Sequence, residues 1–153
     1  MQTTFIVFQS ILLIMYLIQD TVNLAPLNNL SRQIKHLGWP KTIMATVITS
    51  GLLAFSLYAT IEHPAPSLPL SLKIFEVIWW GTQMIGMYVA WYKPYIFGPT
   101  EKELAMYQTL FSGTHSFLPV RKGFPGPNTW HVGQNFFMAA CAGLAFLKVA
   151  GVF

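Results

Sequence analysis

Two histidines border the stretch of this chain with the richest set of chemically active side chains. Residues 113–135 read GTHSFLPVRKGFPGPNTWHVGQN and contain His115 and His131. A histidine can accept or donate a proton near neutral pH, so either ring would serve as a general acid or base. Gln134 and Asn135 follow His131 by three and four residues, which places all three on one face of a helix. The pattern predicts a polar site where the last apolar segment begins.

The loop between the two histidines carries two adjacent cations. Arg121 and Lys122 lie among prolines and glycines. Paired cations of this kind can hold a phosphate or diphosphate headgroup. Asn128, Gln134 and Asn135 would add hydrogen bonds to the same substrate. The alternative interpretation is that the two cations are only the positive charge expected of a cytoplasmic loop.

Two carboxyl groups lie inside apolar segments. Asp20 and Glu76 each interrupt such a segment, and a carboxylate within a membrane span costs about 2.5–3.5 kcal/mol, so it usually has a role. Glu76 shares a helix face with Trp80 and Gln83. Together with Glu62, across a proline-rich turn, it would form a carboxyl pair of which one member holds a proton. Such an acid could protonate an alkene or epoxide, or shift a double bond, in a lipid-like substrate.

Metal and haem sites fit the sequence less well. Four side chains have suitable types for zinc or non-haem iron: Asp20, His36, His115 and His131. Their spacing contains neither His-x-x-x-His nor Glu-x-x-His. A haem bound between spans would need two histidines at like depth, and His63 lies at the opposite end from His131. The single cysteine, Cys141, excludes an internal disulfide. We therefore expect no metal and no cofactor.

Composition indicates a membrane protein. The 153 residues are 54% hydrophobic and 9% charged, with a mean hydropathy of +0.49, whereas a soluble domain carries about 25% charged residues. The net charge of +4 does not indicate a nucleic-acid partner, because the basic residues flank apolar segments and form no basic aromatic face.

Four apolar segments approach the roughly 20 residues needed to cross a bilayer. They cover residues 4–24, 41–61, 72–92 and 132–153. The sequence thus predicts one all-α domain over residues 1–153, a polytopic antiparallel bundle of four transmembrane helices. The first segment is expected to be a retained span rather than a cleaved signal peptide. Residues 25–40 are expected to form a short polar link.

The connection before the last span is expected to be structured. Thr100 and Glu103 have capping-box spacing, so a short helix lying in the membrane interface is predicted at about residues 101–112. An ordered loop should follow, because its aromatic residues Phe117, Phe124 and Trp130 would be superfluous in a free segment.

Each predicted span carries a polar stripe. The members at helical spacing are Gln9, Tyr16, Asp20 and Asn23; Thr42, Thr46, Thr49, Ser56, Thr60 and His63; Glu76 and Gln83; and His131, Gln134 and Asn135. Polar groups in a membrane turn toward the bundle interior, so the four stripes predict a polar seam. Its simplest purpose would be hydrogen bonding between helices, at about 1 kcal/mol each.

The distribution of Lys and Arg predicts the orientation. The first and third connections hold most of them, which places those connections in the cytoplasm and both termini on the extracytoplasmic or lumenal side. Lys148, near the end of the last span, is expected to extend to the interface.

The sequence favours a small membrane enzyme that acts on an amphipathic lipid or isoprenoid-like substrate by isomerase, cyclase or hydrolase chemistry. Its catalytic candidates are Asp20, Glu76, His115 and His131. Its substrate-binding candidates are Trp80, Gln83, Arg121, Lys122, Asn128, Gln134 and Asn135. A non-enzymatic accessory or scaffold subunit is the first alternative, and an ion or solute transporter subunit is the second. The expected partners are membrane lipids and a hydrophobic small molecule, with a homo-oligomer or larger membrane complex left open.

Overall fold

The computed structural model describes residues 1–153 as an all-α chain, 74% helical and without strands. Its seven α-helices are α1 (Gln2–Gln19), α2 (Leu30–Leu37), α3 (Trp39–Glu62), α4 (Leu70–Met87), α5 (Lys93–Phe97), α6 (Glu101–Phe111) and α7 (Thr129–Val149). A 3-10 turn at Ala65–Ser67 joins α3 to α4, and a π-helical turn at Tyr88–Tyr92 joins α4 to α5.

Three of these helices, α1, α3 and α7, are long and apolar enough to cross a membrane. They indicate an integral membrane protein that crosses the bilayer more than once. Helix α4 was predicted as a fourth span. Its length of 18 residues equals that of α1, but Lys73, Glu76 and Gln83 make it less apolar. The structure therefore shows three candidate spans and not clearly four.

The four long helices pack as a ring. Helix α1 contacts α3 and α7, and α4 contacts α7 and α3. The side chain of Gln2 at the start of α1 donates to the carbonyl of Thr60 near the end of α3, at 3.0 Å, so these two helices are antiparallel. Phe5, Leu53, Trp80 and others fill the space between the helices. The end of the ring that carries α2, α6 and the 112–128 loop is called the loop end below.

The first connection differs from the predicted polar link. Helix α1 ends at Gln19 rather than at residue 24, and residues 25–40 contain α2. The Asn29 side chain accepts a hydrogen bond from the backbone N–H of Arg32, which caps the helix. Gly38, at a φ of 83°, ends α2 immediately before α3 begins. The cap residue is visible in the sequence, but the segment is too short for its hydrophobic period to stand out.

The third long helix extends further than the predicted residues 72–92. Helix α4 starts at Leu70, and the helical path continues through the π-turn and α5 to Phe97. Pro94 has no N–H and cannot continue the α-helical ladder. The N–H of Lys93 instead reaches the carbonyl of Tyr88, five residues back, so the chain absorbs the proline in a π-turn.

Two N-terminal caps determine where the remaining helices, α6 and α7, begin. Thr100 and Glu103 form the predicted capping box, and their hydrogen bonds lower the pKa of the Glu103 carboxyl. Helix α6 then covers Glu101–Phe111, close to the predicted interfacial helix. Asn128 caps α7, which therefore begins three residues before the predicted residue 132 and ends at Val149.

The loop before α7 folds back on the helix ends. Phe124 is only 2% exposed and packs on Tyr107 at 5.0 Å between ring centroids. The backbone N–H of His115 donates to Pro26, and its carbonyl accepts from Thr129, so the loop joins the first connection to the start of α7. Phe117, in contrast, is 59% exposed and does not contribute the packing expected of it.

Candidate functional site

At the end of the bundle away from the loop, the polar seam is a network of buried hydrogen bonds in which the Gln9 side-chain oxygen alone has no partner. The Ser56 hydroxyl lies 3.0 and 2.9 Å from the two carboxyl oxygens of Glu76 and donates to that group. The indole N–H of Trp80 donates to Glu76 Oε2 at 2.7 Å, and Gln9 donates to Ser56 at 2.7 Å. All four residues are fully buried. The network therefore links α1, α3 and α4 by their polar stripes.

Glu76 is thus placed differently from an acid in a substrate pocket. It lines none of the major cavities of the protein, and its oxygens are occupied by Ser56 and Trp80. Glu62, its predicted partner, is exposed at the last residue of α3, so the two carboxyls do not form the expected shared pocket. Lys148 also departs from expectation, since it is buried and donates to the Ala59 carbonyl at 3.3 Å instead of extending to the interface.

Neighbouring tryptophans allow the strength of this network to be measured. We expect Trp80→Phe to lower the free energy of unfolding by about 1–3 kcal/mol, because it leaves a buried carboxyl acceptor without its N–H donor. Trp79→Phe is the matched control, because it removes the same ring volume from the core but no hydrogen bond, since the Trp79 N–H is buried without a partner, and it should cost clearly less than Trp80→Phe. Reversible denaturant titration in detergent measures both. Equal losses from the two substitutions would contradict a specific bond at Trp80.

At the loop end, His131 has a defined orientation. The Asn128 side-chain oxygen accepts from both the His131 backbone N–H at 2.9 Å and the ring Nδ1 at 2.7 Å. Because this amide oxygen can only accept hydrogen bonds, Nδ1 must be the donor. The neutral ring therefore carries its proton on Nδ1. Nε2 then presents a lone pair and makes no hydrogen bond within the protein. A neutral imidazole with a free Nε2 is a proton acceptor.

Aromatic rings enclose the imidazole. Its centroid lies 4.5 Å from that of Trp91 and 5.1 Å from that of Phe111. Trp91 belongs to the π-turn and Phe111 ends α6, so these two elements and the Asn128 cap together fix the ring. His131 is only 9% exposed.

A polar cavity of about 240 Å³ lies beside His131 between α1, α4 and α7. We call it the histidine cavity. Its polar lining residues are Tyr16, Gln19, Thr82, Gln83, His131, Gln134 and Asn135. Gln134 is 2% exposed, and its amide nitrogen has no hydrogen-bond partner. A buried donor without a partner costs about 1–3 kcal/mol, so a ligand with an acceptor at this point would recover that cost.

An apolar groove of about 440 Å³ lies on the other side of the same wall. It runs between α6 and the stretch from the end of α4 through the π-turn. Gly86, Ala90 and Trp91 line both the groove and the histidine cavity. Tyr107 lies in the groove, and burial there raises the pKa of its phenol. The two spaces thus place a polar site and an apolar site side by side.

The remaining predicted site residues lie elsewhere. Asp20 lines a second cavity, and Trp80 belongs to the Glu76 network. His115 is exposed, with Nδ1 at 2.8 Å from the Thr129 hydroxyl. Arg121 and Lys122 are exposed on a tight turn of the loop. The structure therefore brings His131 together with Gln83, Gln134, Asn135 and the capping Asn128, and leaves the other candidates outside this cavity.

Gly86 is the functional candidate missing from the predicted set, because in the sequence it is one of several glycines. The sequence allows Trp91 to line an apolar cavity or to be one of the aromatic residues typical of a membrane interface. The structure places both residues in the lining of the groove. No three His, Cys, Asp or Glu side chains come close enough to hold a metal ion, so the set formed by Asp20 and three histidines does not assemble.

Comparisons with known proteins supply no relative from which a role could be transferred. No family model, no curated protein and no solved structure matches the chain.

Proposed function

We propose that this protein is a small integral membrane enzyme that binds an amphipathic lipid or isoprenoid-like molecule and transfers a proton through His131. The observation that carries the proposal is the shared wall of Gly86, Ala90 and Trp91 between the polar histidine cavity and the apolar groove. An amphipathic molecule needs a polar and an apolar site at adjoining positions, because its head and tail have opposite solvation requirements.

The head of the ligand would occupy the histidine cavity. Gln134 offers an unpartnered amide donor, and Gln83 and Asn135 offer further amides. Amide groups recognise hydroxyl, carbonyl or ester oxygens through hydrogen bonds. The cavity contains no Lys or Arg, so these groups favour an uncharged polar head over a diphosphate.

The tail would occupy the groove. Eight of the ten residues that line it are hydrophobic, including Val89, Met106 and Leu110. At one side Glu103 contacts Lys93 at 3.4 Å, as expected of a pair near the polar interface. A groove of about 440 Å³ accommodates part of an acyl or isoprenoid chain, with the remainder in the bilayer.

The chemistry would centre on His131 Nε2. Asn128 holds the proton on Nδ1, so Nε2 would accept a proton from the bound head or from a carbon next to its carbonyl. The same nitrogen could return that proton to another atom, which completes an isomerisation without a cofactor. Positioned general bases of this kind contribute typically about 10²–10⁴-fold in rate.

The Glu76 network favours a second candidate function, that of a scaffold. Its groups are bonded to one another and line no major cavity, as expected of a scaffold seam that only holds helices together. For that half of the bundle we propose a structural role. For the whole chain, an accessory subunit without a ligand remains the alternative, and it predicts an empty histidine cavity.

Helix α4 would provide a fourth span. Its outward residues Ile74, Val77, Ile78 and Ile85 are exposed and apolar, while Glu76 faces inward. The loop end would lie in the cytoplasm, because six of the nine Lys and Arg residues belong to the connections at that end and Lys41 lies in the first turn of α3 beside them.

Cysteine labelling tests this orientation. In a Cys141→Ser background, Thr3→Cys and Lys122→Cys should react with an impermeant thiol reagent from opposite sides of the membrane. Three spans, α1, α3 and α4, would separate the two positions, and an odd number of crossings places them on opposite sides. Thr3 and Lys122 are both exposed. Cys141→Ser alone should not react, and reaction of both cysteines from the same side would contradict four spans.

Native mass spectrometry of the purified protein tests ligand binding. The proposal predicts one lipid or isoprenoid molecule retained per chain when the detergent is removed. Chains that carry no such molecule, or a broad statistical mixture of bulk lipids, would contradict it and support the accessory alternative.

A further inference from the structure

A second cavity with several polar side chains, of about 280 Å³, lies at the loop end and shares Leu110 and Phe111 with the groove. It is formed by the end of α1, by α2 and by the first half of α3, with Leu110 and Phe111 of α6 at its rim. We call it the aspartate cavity, because Asp20 provides its only charged side chain. Tyr16 and Gln19 line both this cavity and the histidine cavity, but the proposed function makes no use of it.

Asp20 has no basic partner. One of its carboxyl oxygens accepts from the Thr46 hydroxyl at 2.7 Å, and the other lies at 3.5 Å from the Gln19 amide nitrogen. No Lys, Arg or His lines the cavity, and the only ion pair of the protein joins Lys93 to Glu103. A half-buried carboxylate without a counter-charge favours a cation beside it.

The neighbouring acceptors are also unused. Gln19 Oε1, Gln33 Oε1 and Ser50 Oγ are buried and make no hydrogen bond, and all three residues line the aspartate cavity. Gln33 and Ser50 are each 7% exposed. A primary ammonium group has three N–H donors and no acceptor, which matches a cavity that holds one carboxylate and several unpartnered oxygen atoms.

We propose that the aspartate cavity binds a primary ammonium group. A single carboxylate balances one positive charge, whereas Ca²⁺ sites in proteins gather about six to eight oxygen ligands at about 2.3–2.6 Å. A cavity of about 280 Å³ is also much larger than a bare metal ion and has room for the carbon atoms of an amine. The group would come from a free small amine or from the headgroup of an aminophospholipid.

The test uses the full chain in phosphatidylcholine nanodiscs with ethanolamine as the probe. We expect a saturable rise in Tm of about 3 °C or more, as binding to the folded state alone produces. Ethylene glycol and NaCl at the same concentrations should not raise Tm. A second arm replaces the free amine with phosphatidylethanolamine in the nanodiscs. A rise with free ethanolamine assigns the site to a small amine, and a rise only in the second arm assigns it to the lipid headgroup.

Variants then locate the site. Asp20→Asn keeps an acceptor for Thr46 and should abolish the rise, whereas Glu62→Gln, at the other end of the bundle, should preserve it. Gln33→Leu should raise the ethanolamine concentration needed for half of the Tm rise at least about tenfold. This variant tests the site if Asp20→Asn does not fold. No rise in either arm, an equal rise with NaCl, or an unchanged response in a folded Asp20 or Gln33 variant would overturn the proposal. None of these results depends on whether the histidine cavity holds a ligand.

Discussion

His131→Phe should reduce conversion of the retained lipid by about 100-fold or more, because it removes the proposed proton acceptor. The phenyl ring keeps the contacts with Trp91 and Phe111. The backbone N–H at position 131 still donates to Asn128, so the cap of α7 remains. Lipid retention should therefore stay close to that of the unchanged protein. The measurement is the product formed per hour from the retained lipid, followed by mass spectrometry.

His115→Phe is the matched control for this prediction. His115 was an equal catalytic candidate in the sequence, but it is exposed and lines none of the major cavities. Its substitution should leave conversion within about twofold of the unchanged rate, since surface substitutions usually have small effects. Loss of conversion in His115→Phe with normal conversion in His131→Phe would reverse the assignment of the two histidines.

Helical spacing predicted the polar side of each long helix well. Gln9, Ser56, Glu76 and Gln134 were all placed in stripes at steps of three, four or seven residues, and all are buried, whereas Asn23, beyond the end of α1, is exposed. The reason is physical: polar groups in an apolar medium turn toward one another. The Thr100 capping box was predicted for the same kind of reason, because a cap depends on only four consecutive residues.

Spacing could not predict which stripes would meet at which depth. Glu76 and His131 both looked like working groups in the sequence. The structure encloses Glu76 between Ser56 and Trp80 and leaves His131 beside a cavity. That difference arises from packing between helices distant in the sequence. Likewise, Lys148 was expected at the interface because a long side chain can reach it, yet it bonds within the bundle.

The groove illustrates the same limit. It exists because Pro94 forces a π-turn just before α5 and because α6 packs back against that turn through Trp91 and Tyr107. Each part has a local cause in the sequence. Their meeting depends on how the chain turns between α5 and α6, which residue periodicity does not encode.

Filling the shared wall should remove the ligand without disturbing the fold. Gly86 lines both the groove and the histidine cavity, and a Cβ added there would meet no atom within 4 Å. Gly86→Leu therefore extends into open space, and in a helix it also replaces a residue of poor helix propensity. We expect retained lipid to fall at least about tenfold, which corresponds to a loss of about 1.4 kcal/mol in binding.

Gly81 provides the matched control. It lies on the same helix, and a Cβ added there also meets no atom within 4 Å, but it lines neither space. Gly81→Leu should retain the ligand fully and should match Gly86→Leu in thermal stability.

Lipid retention by this pair of variants, measured by native mass spectrometry, tests most directly whether the two spaces form one amphipathic binding site. We expect one retained molecule per chain in the unchanged protein and in Gly81→Leu, and almost none in Gly86→Leu. Equal retention in the two leucine variants would contradict it.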